Sequence, residues 1–356
     1  MSGRKLRAVI RVLIVEDSPM MQQLLTHIFG QDPLFQVVGT ADDAQSAIEA
    51  VMELQPDVVT MDIQIKRSNG LEVTRQLMQS MPLPIVVIST SCQSDDTMMA
   101  MEVVQAGALA AVPKPPSLAS PDFYKAAAQL RQIVKDMSAV RVVKRRGGPA
   151  DTFTKLPVLK SKPAGSQYSV LAIGASTGGP PAVLSLLKDL SPKIPVPVLL
   201  VQHIYPGFAP GLVEWLSNET GWRVELLKAN SKAVPGILYL CENGYQMGIK
   251  SDGVITITES KNSDRHHCPS VSHLFASAAN SYGARSIGII LSGMGNDGAE
   301  ELKLMREKGA LTIAQDQSTA ILFGMPGEAA RINAAEYVLS PTATARLLNQ
   351  IFNTNK

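Results

Sequence analysis

A serine in a glycine-rich turn, Gly174-Ala175-Ser176-Thr177-Gly178-Gly179, is followed by a histidine and an aspartate, each just past a later apolar run. These are the residue types of a hydrolytic triad: a nucleophile, a general base and a carboxylate that orients the base. The run Ser169 to Ile173 predicts a buried strand. Pro180-Pro181 predicts the start of a helix through Leu190, because proline in the first helical turn loses no needed hydrogen bond. Ser176 is therefore expected on a tight turn, where glycines admit a substrate carbonyl and amides at the helix start can face an oxyanion. His203 ends the run Val196 to Gln202 and precedes a Pro/Gly-rich loop, Tyr205 to Gly211. Asp297 lies in Leu291-Ser292-Gly293-Met294-Gly295-Asn296-Asp297-Gly298, after the run Ser286 to Ile290 and before a helix-like stretch, Ala299 to Lys308. All three fall past the carboxyl ends of expected strands, the edge of an open α/β sheet where ligand and catalytic groups collect.

Taken singly, each residue has a plainer role: Ser176 in a structural or phosphate-binding turn, His203 as a satisfied strand-end histidine, Asp297 as a loop or cap residue. Together they are harder to explain that way. The G-x-x-x-G-G spacing is not the dinucleotide fingerprint, and the next strand ends at a histidine rather than an acid. The chain order Ser, His, Asp also differs from the Ser, Asp/Glu, His order of α/β-hydrolases.

A second constellation lies upstream. Arg11 to Val15, Val37 to Thr40, Asp57 to Met61, Ile85 to Ser89 and Leu109 to Val112 are strand-like. They alternate with helix-like Met20 to Phe29, Ala44 to Leu54, Leu71 to Ser80, Asp95 to Gln105 and Asp122 to Asp136. Such a βα repeat predicts a doubly wound parallel sheet with its site at the strand carboxyl ends. Glu16, Asp17, Asp62, Ser89 and Lys114 follow or end those strands. Clustered carboxylates raise one another's pKa unless a cation joins them, and hard oxygen ligands suit Mg²⁺. Singly, each acid is a solvated loop residue or a helix cap.

The elements that must position these groups fit a two-domain chain: residues 11–135, a linker 136–165, and residues 166–356. Val140 to Ser166 loses periodicity and holds Lys144-Arg145-Arg146 and Gly147-Gly148-Pro149, as expected of an exposed tether. Gly236 to Leu240, Tyr245 to Lys250 and Val254 to Thr258 read as an antiparallel insertion on an otherwise parallel second sheet. A net charge of +2 over 356 residues favours neither nucleic-acid binding nor a polybasic membrane anchor. No apolar run approaches the roughly 20 residues of a membrane span. The three scattered cysteines suit a reducing cytoplasm, so a cytoplasmic protein without membrane insertion is expected. The His266-His267 pair beside Cys268 is read as structural or substrate-contacting rather than metal-binding, since adjacent strand residues face opposite ways.

The segments GASTGG, QHIYPGF, HHCPSVSHLF, LSGMGNDGAEEL, IAQD and FGMP, in this order between residues 169 and 340, closely resemble the catalytic domain of the chemotaxis protein-glutamate methylesterase family (CheB). The resemblance implies Ser176 as nucleophile, His203 as base, Asp297 as the residue orienting it, and the amides of Thr177 and Met294 as oxyanion donors. It implies no cofactor for the esterase. Cys268 stands where that family usually has a basic residue, and Ser272 where it often has aspartate.

The first third of the chain resembles the receiver domain of bacterial response regulators. That resemblance implies Asp62 as phosphoacceptor, Mg²⁺ held by Glu16, Asp17, Asp62 and the Gln64 carbonyl, and Ser89 and Lys114 as the phosphorylation switch. Lys66 replaces a usual proline, bringing a cation and a flexible backbone near the acids, and Ala111 replaces a common aromatic. A flavodoxin-like receiver followed by a Rossmann-like serine esterase is the expected architecture. The implied activity is phosphorylation-regulated hydrolysis of glutamate methyl esters on methyl-accepting chemoreceptors, with deamidation of receptor glutamines. A chemotaxis histidine kinase is the implied phosphodonor. The alternatives are a catalytically weak scaffold for receptors or kinase, and the same esterase in a non-flagellar chemosensory system.

Overall fold

Short apolar runs become parallel strands in both parts of the computed structural model, which describes residues 9–89, 102–103, 106–140, 142, 168–204, 206–260 and 268–353. The chain divides into two compact units, residues 1–146 and 147–356. In the first, β1 (Ile10–Val15), β2 (Phe35–Ala41), β3 (Val58–Met61), the short β4 (Gln64–Ile65) and β5 (Ser68–Asn69), β6 (Ile85–Ser89) and β7 (Ala110–Pro113) alternate with helices Pro19–Gly30, Ala44–Leu54, Gly70–Ser80 and Phe123–Ser138. Five of these strands form one parallel sheet in the order β2-β1-β3-β6-β7. This is the flavodoxin-like order, whose reversal beside β1 opens a crevice at the strand carboxyl ends.

Local chemistry fixes where the helices begin. Ser18 caps Pro19–Gly30, with proline in the first turn where its missing N–H costs nothing. Asp43 and Ser46 form a reciprocal capping box at the start of Ala44–Leu54. Leu13, Val59, Met61, Leu77 and Val87 are fully buried in the core beneath the crevice.

In the second unit the strands are β8 (Val170–Ala175), β9 (Val198–Gln202), β10 (Arg223–Leu227), β11 (Ser231–Lys232), β12 (Ile237–Cys241), β13 (Tyr245–Ile249), β14 (Val254–Glu259), β15 (Ser286–Ile290), β16 (Leu311–Gln315) and β17 (Tyr337–Leu339). Seven of them run parallel in the order β10-β12-β9-β8-β15-β16-β17. With β10 as an outer edge, the remaining six follow the Rossmann order, which reverses at β8. Helices Gly179–Asp189, Ala209–Thr220, Val271–Tyr282, Ala299–Glu307, Met325–Arg331 and Pro341–Phe352 accompany this sheet.

The antiparallel insertion comprises β11, β14 and β13. Ile237–Cys241, expected to belong to it, is instead a strand of the parallel sheet between β10 and β9. Its five residues, Ile-Leu-Tyr-Leu-Cys, are all buried, the continuous apolar pattern of a strand covered on both faces rather than the alternation of an exposed hairpin.

The loop after Asp62 forms a tight β4–β5 hairpin, with Arg67 in the left-handed region at φ 57°. The expected helix over residues 95–105 lies outside the described residues apart from Glu102 and Val103, which are helical. The basic linker segment 143–166 and the His266-His267 pair also lie outside them. Among the described residues no helix is long and apolar enough to cross a membrane.

Candidate functional site

Ser176, His203 and Asp297 meet at the carboxyl edge of the second sheet because their strands are neighbours. β8 ends at Ala175 with β9 on one side and β15 on the other. The Ser176 amide donates to the Ser292 carbonyl beyond β15 at 2.9 Å, and the His203 amide donates to the Ala175 carbonyl at 2.9 Å. The serine turn is thus bonded to the strand ends on both flanks. Ser176 is buried, and His203 and Asp297 keep about a tenth of their side-chain surface exposed, at 11% and 10%.

His203 Nε2 lies 2.9 Å from Asp297 Oδ2. The same carboxylate accepts the Val271 amide on Oδ2 at 2.8 Å and, on Oδ1, the Ser272 amide and the Ser270 hydroxyl, both at 3.0 Å. Two of these donors are backbone N–H groups in the first turn of Val271–Tyr282, where the helix dipole favours negative charge. Burial by itself pushes the Asp297 carboxyl up. The hydrogen bonds from His203 and Ser272, with the field of His203, outweigh burial and hold it well below the usual carboxylate range.

Further side chains set the surroundings, most of them not singled out in the sequence. Gln202 Nε2 donates to the Ser176 carbonyl at 2.7 Å and to the His203 carbonyl at 2.9 Å. The Ser292 hydroxyl donates to the Thr177 carbonyl at 2.8 Å, and its amide donates to Gln315 Oε1 at 2.7 Å. Ser272 donates its hydroxyl to Glu301 at 2.6 Å and accepts the Gly298 amide at 3.0 Å, so this serine ties the Asp297 loop to two helix starts. The signal for this group was present: Gln202, Ser292 and Gln315 are buried polar residues at the ends of apolar runs, and such groups need partners. The Cys268 carbonyl accepts the Gly244 amide at 3.2 Å, in the turn between β12 and β13.

Glycines make room for these contacts. A Cβ on Gly293 would lie 2.8 Å from Ser176 Cβ and 2.2 Å from Met325 Sδ. Thr177 is half-buried and Met294 is 41% exposed. Among the described residues neither amide donates to a protein group.

At the corresponding edge of the first unit, Lys114 Nζ lies 2.7 Å from Asp62 Oδ2 and 2.9 Å from Glu16 Oε1. Glu16 and Asp62 are almost completely buried, at 1% and 4% exposure. Burial, with the nearby Asp62 charge, raises the Glu16 carboxyl even though Lys114 bonds to it. Burial opposes the charge on Lys114, but its bonds to Asp62 and Glu16 prevail and raise its pKa. Two buried carboxylates therefore share one ammonium, leaving an excess of negative charge.

Glu16, Asp17 and Asp62 each offer an oxygen, all within 4.8 Å of one another, a donor set of hard ligands that fits a divalent cation such as Mg²⁺. Gln64 starts β4 and pairs with Asn69, and Ser89 is buried at the end of β6 with its carbonyl accepting the Lys114 amide at 3.1 Å. Gly70 is required here, since a Cβ would lie 1.9 Å from the Asp62 carbonyl oxygen. Lys66 pairs with Asp42 at 2.5 Å, and that bond, with the charges of Asp42, Asp17 and Asp43, raises its pKa.

The family described as CheB methylesterase matches residues 171–348, and the response regulator receiver domain matches residues 12–120. A protein-glutamate methylesterase/protein-glutamine glutaminase of Syntrophus aciditrophicus is 40% identical over 350 residues, covering 96% of this chain and 97% of its own. One from Hahella chejuensis is 41% identical over 343 residues, covering 96% and 98%. The crystal structure of the Thermotoga maritima CheB methylesterase catalytic domain aligns with 52% of this chain and 99% of its own at 28% identity and TM-score 0.49.

A pH dependence follows from Asp297. Its folded pKa lies below the unfolded one, so its stabilisation is fully present above the unfolded carboxyl range, about pH 4, and is lost as pH falls through the folded value. Asp297→Asn should flatten the acid loss of stability of the second unit below about pH 4, read as the urea midpoint against pH on the full chain. Parallel curves for the two proteins over that range would contradict the assigned charge state.

Proposed function

Since this chain belongs to the CheB methylesterase family and carries a response regulator receiver domain ahead of the esterase, we propose that it hydrolyses glutamate methyl esters on methyl-accepting chemoreceptors, under control of receiver phosphorylation, and deamidates receptor glutamines at the same site. The observation that carries the assignment is the 2.9 Å bond between His203 and Asp297 beside the Ser176 turn.

Ser176 Oγ attacks the ester carbonyl while His203 takes its proton. Because Nε2 faces Asp297, the accepting nitrogen is Nδ1, and the imidazolium that forms is stabilised by a carboxylate held ionised. The carbonyl oxygen becomes an oxyanion received by the Thr177 and Met294 amides. His203 returns the proton to the leaving oxygen and methanol departs, leaving an acyl ester on Ser176. Water, deprotonated by His203, attacks that ester and releases the glutamate carboxyl and free Ser176. A glutamine side chain follows the same course with ammonia as the leaving group.

In the receiver, Asp62 is the proposed phosphoacceptor. Glu16, Asp17 and Asp62, with the Gln64 carbonyl, would hold Mg²⁺, which when bound neutralises phosphoryl oxygen charge. Lys114 is already bonded to the Asp62 oxygen and positioned to pair with the phosphoryl group, with Ser89 as the nearby hydroxyl. A histidine kinase of the chemosensory array is the proposed phosphodonor.

Ser176→Ala should lower methanol release from methylated receptor fragments by a factor on the order of 10³ or more, with His203→Ala comparable, because residues acting as a unit are strongly non-additive. Near wild-type turnover in Ser176→Ala would remove the assignment. A small phosphodonor with Mg²⁺ should label Asp62, mapped by mass spectrometry after borohydride trapping, and should raise methanol release by the full chain. Asp62→Asn should show neither effect; equal labelling of that variant would place the acceptor elsewhere.

A further inference from the structure

Resting on the esterase reading, we infer that Gln202 and Gly324 are positioning residues that aim the two oxyanion donors by fixing the peptide planes to which those donors belong. A trans peptide is flat, and its C=O and N–H point to opposite sides. Whatever holds the carbonyl of residue i therefore sets the direction of the N–H of residue i+1.

The plane between Ser176 and Thr177 is held at the Ser176 carbonyl. That oxygen accepts Gln202 Nε2 at 2.7 Å from the sheet side and the Gly179 amide at 2.8 Å from the helix side. Gln202 is 4% exposed and comes from the strand next to β8, so its amide is fixed by the sheet rather than by the turn. It also holds the His203 carbonyl at 2.9 Å, joining nucleophile turn and base through one side chain. Gly179 leaves the space it occupies, since a Cβ there would lie 2.2 Å from Gln202 Oε1.

The plane between Gly293 and Met294 is built the same way from unrelated residues. The Gly293 carbonyl accepts the Gly324 amide at 3.0 Å and the Met325 amide at 2.9 Å. A Cβ on Gly324 would lie 2.7 Å from that oxygen and 3.2 Å from Met294 Cα, so only glycine allows the approach. In both planes the carbonyl is bonded twice and faces inward, which leaves the following N–H directed the other way. Preorganised donors of this kind stabilise developing charge without reorganising during the reaction.

The test uses the full chain with methylated receptor fragments, counting active sites with a fluorophosphonate so that misfolded protein does not enter the rate. Gln202→Met removes, at similar volume, the donor shared by the Ser176 and His203 carbonyls, and Gly324→Ala disturbs the other plane from a separate element. Each should lower kcat per titrated site about tenfold, with KM within about twofold, because the donors act on the transition state rather than on bound substrate. A purely structural role would lower the number of titrated sites and leave kcat per site unchanged, and that result in either variant overturns its assignment. A loss confined to KM overturns it as well. Wild type and Ser176→Ala are run alongside: methanol release insensitive to Ser176 would sink the esterase reading itself, whereas loss in Ser176→Ala with full kcat in Gln202→Met and Gly324→Ala would sink only this inference.

Discussion

The Asp297 carboxylate is the interaction on which the second unit's site depends. It is largely buried, and burial favours the neutral acid, yet it accepts hydrogen bonds from four groups: His203, the Val271 and Ser272 amides, and the Ser270 hydroxyl. Three of those donors belong to one helix start, so the charge, the cap and the imidazole orientation are a single arrangement. The packing around it is equally constrained. A Cβ on Gly174 would lie 2.2 Å from Val271 Cγ1 and one on Gly298 2.3 Å from the same atom, which is why the helix can come close enough to the sheet for its amides to reach Asp297.

The acid cluster of the first unit solves a related problem with the opposite outcome. Asp297 has enough donors to remain ionised, whereas Glu16 shares Lys114 with Asp62 and burial still pushes its carboxyl up. One site is a hydrogen-bonded unit closed around its carboxylate, and the other offers hard oxygen donors of the kind that suit a divalent cation. Both stand at the carboxyl edge of a parallel sheet where the strand order reverses, because that edge gathers residues distant in sequence without requiring long structureless loops.

Much of this was legible in the sequence. Ser176, His203, Asp297, Glu16, Asp17, Asp62 and Lys114 each follow an apolar run, and the structure brings them into two groups at two sheet edges. What the run pattern concealed was pairing. Ile237–Cys241 lies close in sequence to a genuine hairpin, which masks its pairing, although its unbroken apolar character is that of a parallel strand. Arg223–Leu227, at the sheet edge, and Tyr337–Leu339 are too short or too polar to stand out. Lys66 does stand in the field of Asp17, as expected of a cation near the acids, but its direct partner, Asp42, is 24 residues away, a pairing the sequence does not show. Gln202, Ser292 and Gly324 were visible only as letters inside motifs, since a role exerted through backbone carbonyls leaves no residue-type signature of chemistry.

Ser176 is the proposed acyl-transfer centre, with the Thr177 and Met294 amides as its oxyanion donors. The measurement that tests this most directly is a crystal structure of the full chain after reaction with a fluorophosphonate, whose tetrahedral phosphorus stands in for the acyl carbon under attack. One adduct is expected, on Ser176 Oγ, with the phosphoryl oxygen within about 3.1 Å of both amide nitrogens. An adduct on another residue, or a phosphoryl oxygen turned away from both amides, would contradict it.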